Sequence, residues 1–177
     1  MAEKNNNHVL LSFQNISKDF PGVKALNDVS FDVKHGEVHV LLGENGAGKS
    51  TLIKILTGVY LPDAGNIVLN GQEIRPSSIQ EARALGIGVV FQENSLVPHL
   101  TVAENVFLTR EKRNKFGAID WQKTNVECER WIRELGMSIN VREMVKNLSV
   151  AEQQIVEIVK TLSQNPSLIV LDEPTSA

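Results

Sequence analysis

Gly43, Glu44, Asn45, Gly46, Ala47, Gly48, Lys49, Ser50 and Thr51 follow one another in the spacing G-x-x-x-x-G-K-[ST]. Glycines let a backbone curl tightly and turn successive N–H groups inward, which makes a nest for anionic oxygens. In such a nest Lys49 reaches terminal phosphates, the Ser50 hydroxyl ligates Mg²⁺, and the following helix N-terminus adds favourable partial charge. A chance match of this pattern in a chain of this length has odds of about half a percent. Near the other end, Leu168-Ile169-Val170-Leu171 leads into Asp172 and Glu173. Two carboxylates after a buried strand are common and mean little alone. Beside a phosphate loop they are costly unless a metal offsets them, so Asp172 is expected to hold Mg²⁺ and Glu173 to polarise a water.

The elements around these residues must aim them. Glu37 to Leu42 reads as a short buried strand entering the loop, and Leu52, Ile53 and Leu56 recur at helical spacing before a stop at Gly58. Upstream, Val9–Ile16 and Val29–Val33 read as strands separated by a turn, 19–23, that carries Phe20. Phe20 is either a loop aromatic covering the sheet or a stacking platform for a base. Asn70-Gly71 joins two strands as a tight hairpin. A short helix over 79–85 and a buried strand over 87–91 follow, with Gln92 just beyond the strand; alone, that residue is expected to be solvated. From residue 93 the character becomes helical: a helix through Val102, Val106 and Phe107, a charged loop over 110–115, a helix capped by Asp120 and ended by Gly136, and a helix started by Ser149.

Composition sets outer bounds. At 177 residues, 42% apolar and 22% charged, the chain can bury a real core, and its net charge of −3 gives no reason for bulk attraction to nucleic acid or anionic lipid. No apolar run reaches spanning length, and the polar start, 1–7, is expected to be a disordered tail. The single cysteine, Cys128, sits with Trp131, Ile132 and Leu135 at core spacing and is expected to pack rather than react. A cytosolic compartment follows from these features. An Asn-Lys-x-Asp guanine-reading motif does not occur, which disfavours a GTPase, and there is no arginine-rich lid of the kind a small-molecule kinase needs.

Taken in order, Phe20, the loop at 43–50, Gln92, the stretch Leu148 to Gln154 and the carboxylates through Glu173 resemble the nucleotide-binding domain of ABC transporters, over about 10–177. Phe-Pro-Gly-Val-Lys-Ala-Leu at 20–26, Gly-Glu-Asn-Gly-Ala-Gly at 43–48 and Ala103-Glu104-Asn105-Val106 look most like the sugar-uptake importers for ribose, galactose or xylose, specifically the first half of their fused ATPase. The resemblance implies an α/β P-loop NTPase core with a mixed sheet, an N-terminal antiparallel β part and an inserted α-helical subdomain. On it, 8–92 would be the β and phosphate-loop part, 93–163 the helical subdomain, and 164–177 the return to the core. It implies ATP and Mg²⁺ as ligands, Phe20 as the adenine-stacking ring, Gln92 as a metal- or water-contacting glutamine, and Glu173 as the catalytic carboxylate. It also implies a membrane permease docking near 93–100, a second nucleotide-binding half, indirect contact with a sugar-binding protein, no nucleic acid, and a cytoplasmic position peripheral to the inner face of the membrane.

Two departures stand out. The family signature Leu-Ser-Gly-Gly-Gln is here Leu148-Ser149-Val150-Ala151-Glu152, followed by Gln153, so side chains replace the glycines that let backbone approach a partner's phosphate. Ser149 and Glu152 also fit a capping box, which explains the helix start without any ligand. The other departure is the family's switch histidine, which would lie beyond Glu173; His8, His35, His39 and His99 all precede it. The expectation is a fragment that binds ATP and Mg²⁺ but hydrolyses poorly alone, with the Leu168–Leu171 strand weakly covered at one edge. The alternatives are an ABC-type ATPase not coupled to transport, or a nucleotide switch without turnover.

Overall fold

The computed structural model describes residues 8–44, 46–91 and 95–172. The expectations placed on the tail 1–7, on Asn45, on Gln92 and Glu93, and on 173–177, Glu173 included, lie outside the described residues. The chain forms two compact units, Met1–Ile87 and Gly88–Ala177.

In the first unit, β1 (Val9–Phe20), β2 (Val23–Lys34), β3 (Ala64–Leu69) and β4 (Gln72–Ile74) make an antiparallel sheet ordered β2-β1-β3-β4. The first two strands are longer than their apolar alternation suggests. Only Pro21 and Gly22 separate them, with Gly22 at φ 81°, and Phe20 pairs with Val23. Phe20 therefore closes a strand instead of riding on a loop. Leu11, Phe13, Ile16, Leu26, Ile67 and Leu69 are buried, and the Phe13 and Phe31 rings sit 4.9 Å apart. Asn70 and Gly71, at φ 50° and 78°, give the left-handed pair that a two-residue hairpin turn needs.

The helix α1 (Lys49–Leu56) buries Leu52, Ile53, Ile55 and Leu56. It ends as expected: Gly58 at φ 74° donates its N–H to the Ile55 carbonyl, and Val59 donates to Lys54 at 2.8 Å. These two bonds satisfy carbonyls that the helix end leaves open. The short α2 (Ile79–Ala84) starts at Ser78, whose hydroxyl accepts from the Glu81 N–H.

One expected element is absent. Residues 37–42 form no strand, and Val38, Val40 and Leu42 are 90%, 66% and 89% exposed. A strand needs neighbours for its N–H and C=O groups, and among the described residues none pairs with this run. Apolar composition alone could not reveal that. The chain instead leaves the sheet at a turn with Gly36 at φ 72°, where Glu37 accepts from the Lys34 N–H at 2.7 Å and His39 stacks on Phe31 at 5.1 Å. That backbone bond, joined by the His39 contact, holds the Glu37 carboxyl below its ordinary range.

The strand β5 (Ile87–Val90) begins at the last residue of the first unit and pairs with β6 (Leu168–Leu171) in a two-stranded parallel sheet. In the second unit, α3 (Val102–Phe107), α4 (Trp121–Glu134) and α5 (Val150–Leu162) surround one core that includes Val102, Val106, Phe107, Cys128, Ile132, Val156 and Val159. Asp120 caps α4 through the Lys123 N–H, and Gly136 at φ 71° ends it. Cys128 is fully buried, and burial pushes its thiol up to about 12. Ile169 and Leu171 remain 41% and 50% exposed, so the expected buried strand is covered on one face only.

Candidate functional site

In the first unit the loop takes its shape from three glycines used differently. Gly46 and Gly48 lie at φ 86° and 85°. A Cβ on Gly46 would meet open space, whereas one on Gly48 would strike the Ala25 carbonyl oxygen and lie 2.8 Å from Leu26 Cδ2. A Cβ on Gly43 would sit 3.0 Å from that of Ala47. Gly48 is thus fixed by backbone hand and by the floor that β2 places under it. Ala25 and Leu26, which lie outside both strands read from the sequence, form that floor.

Gly48 is also the N-cap of α1 and offers no side chain to the helix's first N–H groups. A helix start without a side-chain cap is an arrangement that suits an anion. Ala47 N–H bonds to the Glu44 carbonyl at 3.1 Å, tightening the curl. Lys49 bends back over it: its Nζ donates to the carbonyls of Gly43 at 2.6 Å and Glu44 at 3.0 Å. The ammonium therefore already stands at the loop's mouth. Ser50 is exposed and Thr51 half-buried on the first turn of α1.

Phe20 is half-buried and built into a small cluster. Its ring meets Tyr60 edge-on at 5.2 Å, with Lys18 Nζ 5.6 Å from its centre. Asp63 pins the strand end that carries it, accepting from Lys18 Nζ and from the Asp19 N–H, each at 2.7 Å. The Asp19 bond, followed by Lys18, holds the Asp63 carboxyl below its ordinary range. Tyr60 and Asp63 escape a motif reading because their effect on Phe20 comes from sheet geometry.

In the second unit, Asp172 directly follows β6, and its N–H bonds to the Val90 carbonyl at 3.0 Å. Gly88 lets β5 approach α5 closely; a Cβ there would lie 2.7 Å from Thr161 Cγ2. The signature-like residues start α5. Ser149 Oγ accepts from the Glu152 N–H, and the Glu152 carboxylate accepts from the Ser149 N–H at 2.8 Å and its Oγ at 2.7 Å. The Ser149 hydroxyl, ahead of its N–H, draws the Glu152 carboxyl below its ordinary range. Leu148 packs on the helical core, Gln153 Nε2 donates to the Leu148 carbonyl at 3.1 Å, and Val150 and Ala151 face solvent. The capping box is present, and its carboxylate occupies the place at the helix end where an incoming anion would seek those donors.

A second contributor hidden from motif reading is Asn105, fully buried in α3. Its Oδ1 accepts from Val97 N–H at 2.7 Å, and its Nδ2 donates to the carbonyls of Val97 at 3.0 Å, Leu100 at 3.3 Å and Thr101 at 3.1 Å. Just upstream, Ser95 is held to α5 by Glu157, which accepts from its N–H at 2.5 Å, and by Lys160, which donates to its Oγ at 3.0 Å. The segment 95–101 is therefore tied to both α3 and α5. Among the described residues no cluster of His, Cys, Asp or Glu could hold a metal by itself, and no helix is long and apolar enough to cross a membrane.

A family model described as ABC transporter matches residues 26–176. The chain is 51% identical over 167 residues to a ribose import ATP-binding protein of Hahella chejuensis, covering 94% of this chain and 33% of that protein. It is 47% identical over 172 residues to a xylose import ATP-binding protein of Moorella thermoacetica, covering 96% of this chain and 34% of that one. The chain thus spans about a third of the length of these curated relatives. Among solved structures it is similar to a nucleotide-free ATP-binding cassette from an ABC transporter, with a TM-score of 0.81, 29% identity, and coverage of 96% of this chain and 71% of that one. An ATP-binding cassette in its ADP conformation gives a TM-score of 0.82 at 29% identity, covering 97% and 71%.

Proposed function

The chain belongs to the ABC transporter family, and on that premise we propose that it binds ATP with Mg²⁺ and hydrolyses it as part of the energy-coupling ATPase of a sugar importer. The observation that carries the proposal is the glycine-shaped loop at 43–51, where a helix start without a side-chain cap adjoins the Lys49 ammonium held against the Gly43 and Glu44 carbonyls. The adenine stacks on Phe20, held from behind by Tyr60. As phosphates enter, Lys49 exchanges the Gly43 and Glu44 carbonyls for phosphate oxygens, trading neutral partners for charged ones.

The groups assigned to the metal are all oxygen donors: the Ser50 hydroxyl, the Asp172 carboxylate and the Gln92 amide. Such a set fits Mg²⁺, which neutralises charge between the terminal phosphates when bound. Glu173 accepts a proton from the attacking water. The second nucleotide-binding half supplies a glycine-bearing signature to this loop. In return, the helix start at Ser149 is a poor anion site, because Val150 and Ala151 carry side chains and Glu152 uses the Ser149 donors. Turnover by this chain alone is therefore low. The permease docks near 93–100, and the ties of Ser95 and Asn105 pass its displacement to α5 and α3 respectively. This places the chain in the cytoplasm on the inner membrane face; the sugar is selected elsewhere.

Equilibrium titration with a fluorescent ATP analogue tests the reading. Lys49→Ala should weaken binding more than tenfold, while Glu173→Gln should keep binding and abolish phosphate release. Unchanged affinity in Lys49→Ala would overturn the proposal, and turnover surviving Glu173→Gln would remove the role of that carboxylate.

A further inference from the structure

Between α3 and α4 the chain builds a tip to which the nucleotide reading assigns no role. Residues 110–115 hold four basic side chains and one acidic, in a chain whose net charge is −3. The base is anchored: Arg110 donates to the Val106 carbonyl at 2.6 Å and to Ser163 Oγ at 3.0 Å, and Lys112 pairs with Glu127 at 2.9 Å. Above it the strands close through an Arg113–Ile119 bridge and an Asp120 N–H bond to the Lys112 carbonyl at 2.7 Å. The turn is locked by Asn114, whose Oδ1 accepts from the N–H groups of Phe116 at 2.9 Å and Ala118 at 3.1 Å, and by Arg113, which donates to the Gly117 carbonyl at 2.8 Å. At the summit Phe116 is 95% exposed.

A flexible loop can fold an aromatic back onto the protein; this turn holds one out in water. Beside it stand the exposed Arg113 and Lys115, and among the described residues neither forms an ion pair. Size decides what such a tip fits. One aromatic offers roughly 150–250 Å², far below the ~800 Å² per partner of a stable protein interface. Reversible attachment to a bilayer needs no matching surface, only apolar area at the headgroup boundary and cations near anionic lipid. We propose that this tip is a lipid contact: Phe116 enters the interface of an anionic membrane while Arg113 and Lys115 lie on its phosphates. The contact is direct, whereas the membrane position argued above runs through a permease, and it does not depend on the nucleotide reading.

Flotation of the 177-residue chain with vesicles of pure phosphatidylcholine, and of phosphatidylcholine with 30% phosphatidylglycerol, tests it. The expected result is capture by the anionic vesicles only, weakened by salt. Phe116→Ser should lower the partition at least fivefold. Lys115→Gln, which leaves the Arg113 bond to the Gly117 carbonyl in place, should lower it about fivefold. Phe116 and Lys115 are both exposed, so circular dichroism melts should match the unaltered chain. Equal capture by both vesicles, capture indifferent to Phe116→Ser, or no capture at all overturns the proposal. So does retention on immobilised polyglutamate without vesicle capture, which would make the tip an acidic-protein contact. Fluorescent ATP analogue binding in the same samples reads the nucleotide site separately.

Discussion

Gly48 carries two constraints at one Cα, a left-handed backbone and the Ala25 carbonyl pressed against the space a side chain would need, whereas Gly46 carries only the first. Both replacements by alanine should therefore destabilise, but unequally. Gly46→Ala should cost about 1 kcal/mol of conformational strain, and Gly48→Ala about 3 kcal/mol, because β2 or α1 must also shift. Chemical denaturation of the two variants compares them, and equal losses would remove Ala25 from the loop's support. Cys128 shows the opposite kind of constraint. Its thiol is raised because burial penalises the thiolate, so it stays protonated at neutral pH and out of chemistry. Its neutral burial is fully compatible with folding below pH 9.0 and becomes a liability as pH climbs toward 12, since only the unfolded chain ionises freely there.

Among the elements, helix starts and stops were the most legible part of the chain. Thr101, Asp120 and Ser149 cap where their residue types say they should, because a cap is a local bond between groups three positions apart. The Ser149–Glu152 box has a measurable consequence. Glu152 has a folded pKa below its ordinary 4.5, so its contribution is present above that pH and disappears as pH falls through the folded value. Glu152→Gln should lower the melting temperature at pH 7, with the gap shrinking as pH falls below 4.5; a gap that stays constant with pH would show that the carboxylate is not the cause. What the sequence hid was non-local. The run 37–42 looks like a strand by composition, but pairing needs partners that no window around it shows. Asn105 looks like one polar residue in an apolar helix, yet it serves four backbone groups of 97–101. Asn105→Ala strips the Val97 N–H of its acceptor, while the carbonyls of Val97, Leu100 and Thr101 keep the N–H groups of Leu100, Val145 and residue 105; the loss of about 1 kcal/mol should be seen as a lowered denaturation midpoint and faster amide exchange at Val97. Of the site, the phosphate loop was legible because its motif is contiguous. Tyr60, Asp63 and Ala25 were not, because they act through folding.

At the level of the whole molecule, the residues proposed for the chemistry divide between two units: the phosphate loop and Phe20 in one, Asp172 and the start of α5 in the other. Residues 37–44, which lead into the phosphate loop, lack strand partners among the described residues and present Val38, Val40 and Leu42 to solvent. Brief thermolysin treatment should cut there first, and ATP with Mg²⁺ should slow that cut more than any other. First cleavage elsewhere would mean the segment is better protected than its exposure says. The same segment bears on affinity. The loop is braced on its exit side, by α1 and by the Ala25 floor, while its entry side has no ladder to hold it. Only the fraction of molecules with the entry in place can receive phosphate, so the measured dissociation constant is the intrinsic one divided by that fraction. Any surface that lays a strand along Val38 to Leu42 would then tighten nucleotide binding without touching the nucleotide, acting as a gain control on the loop.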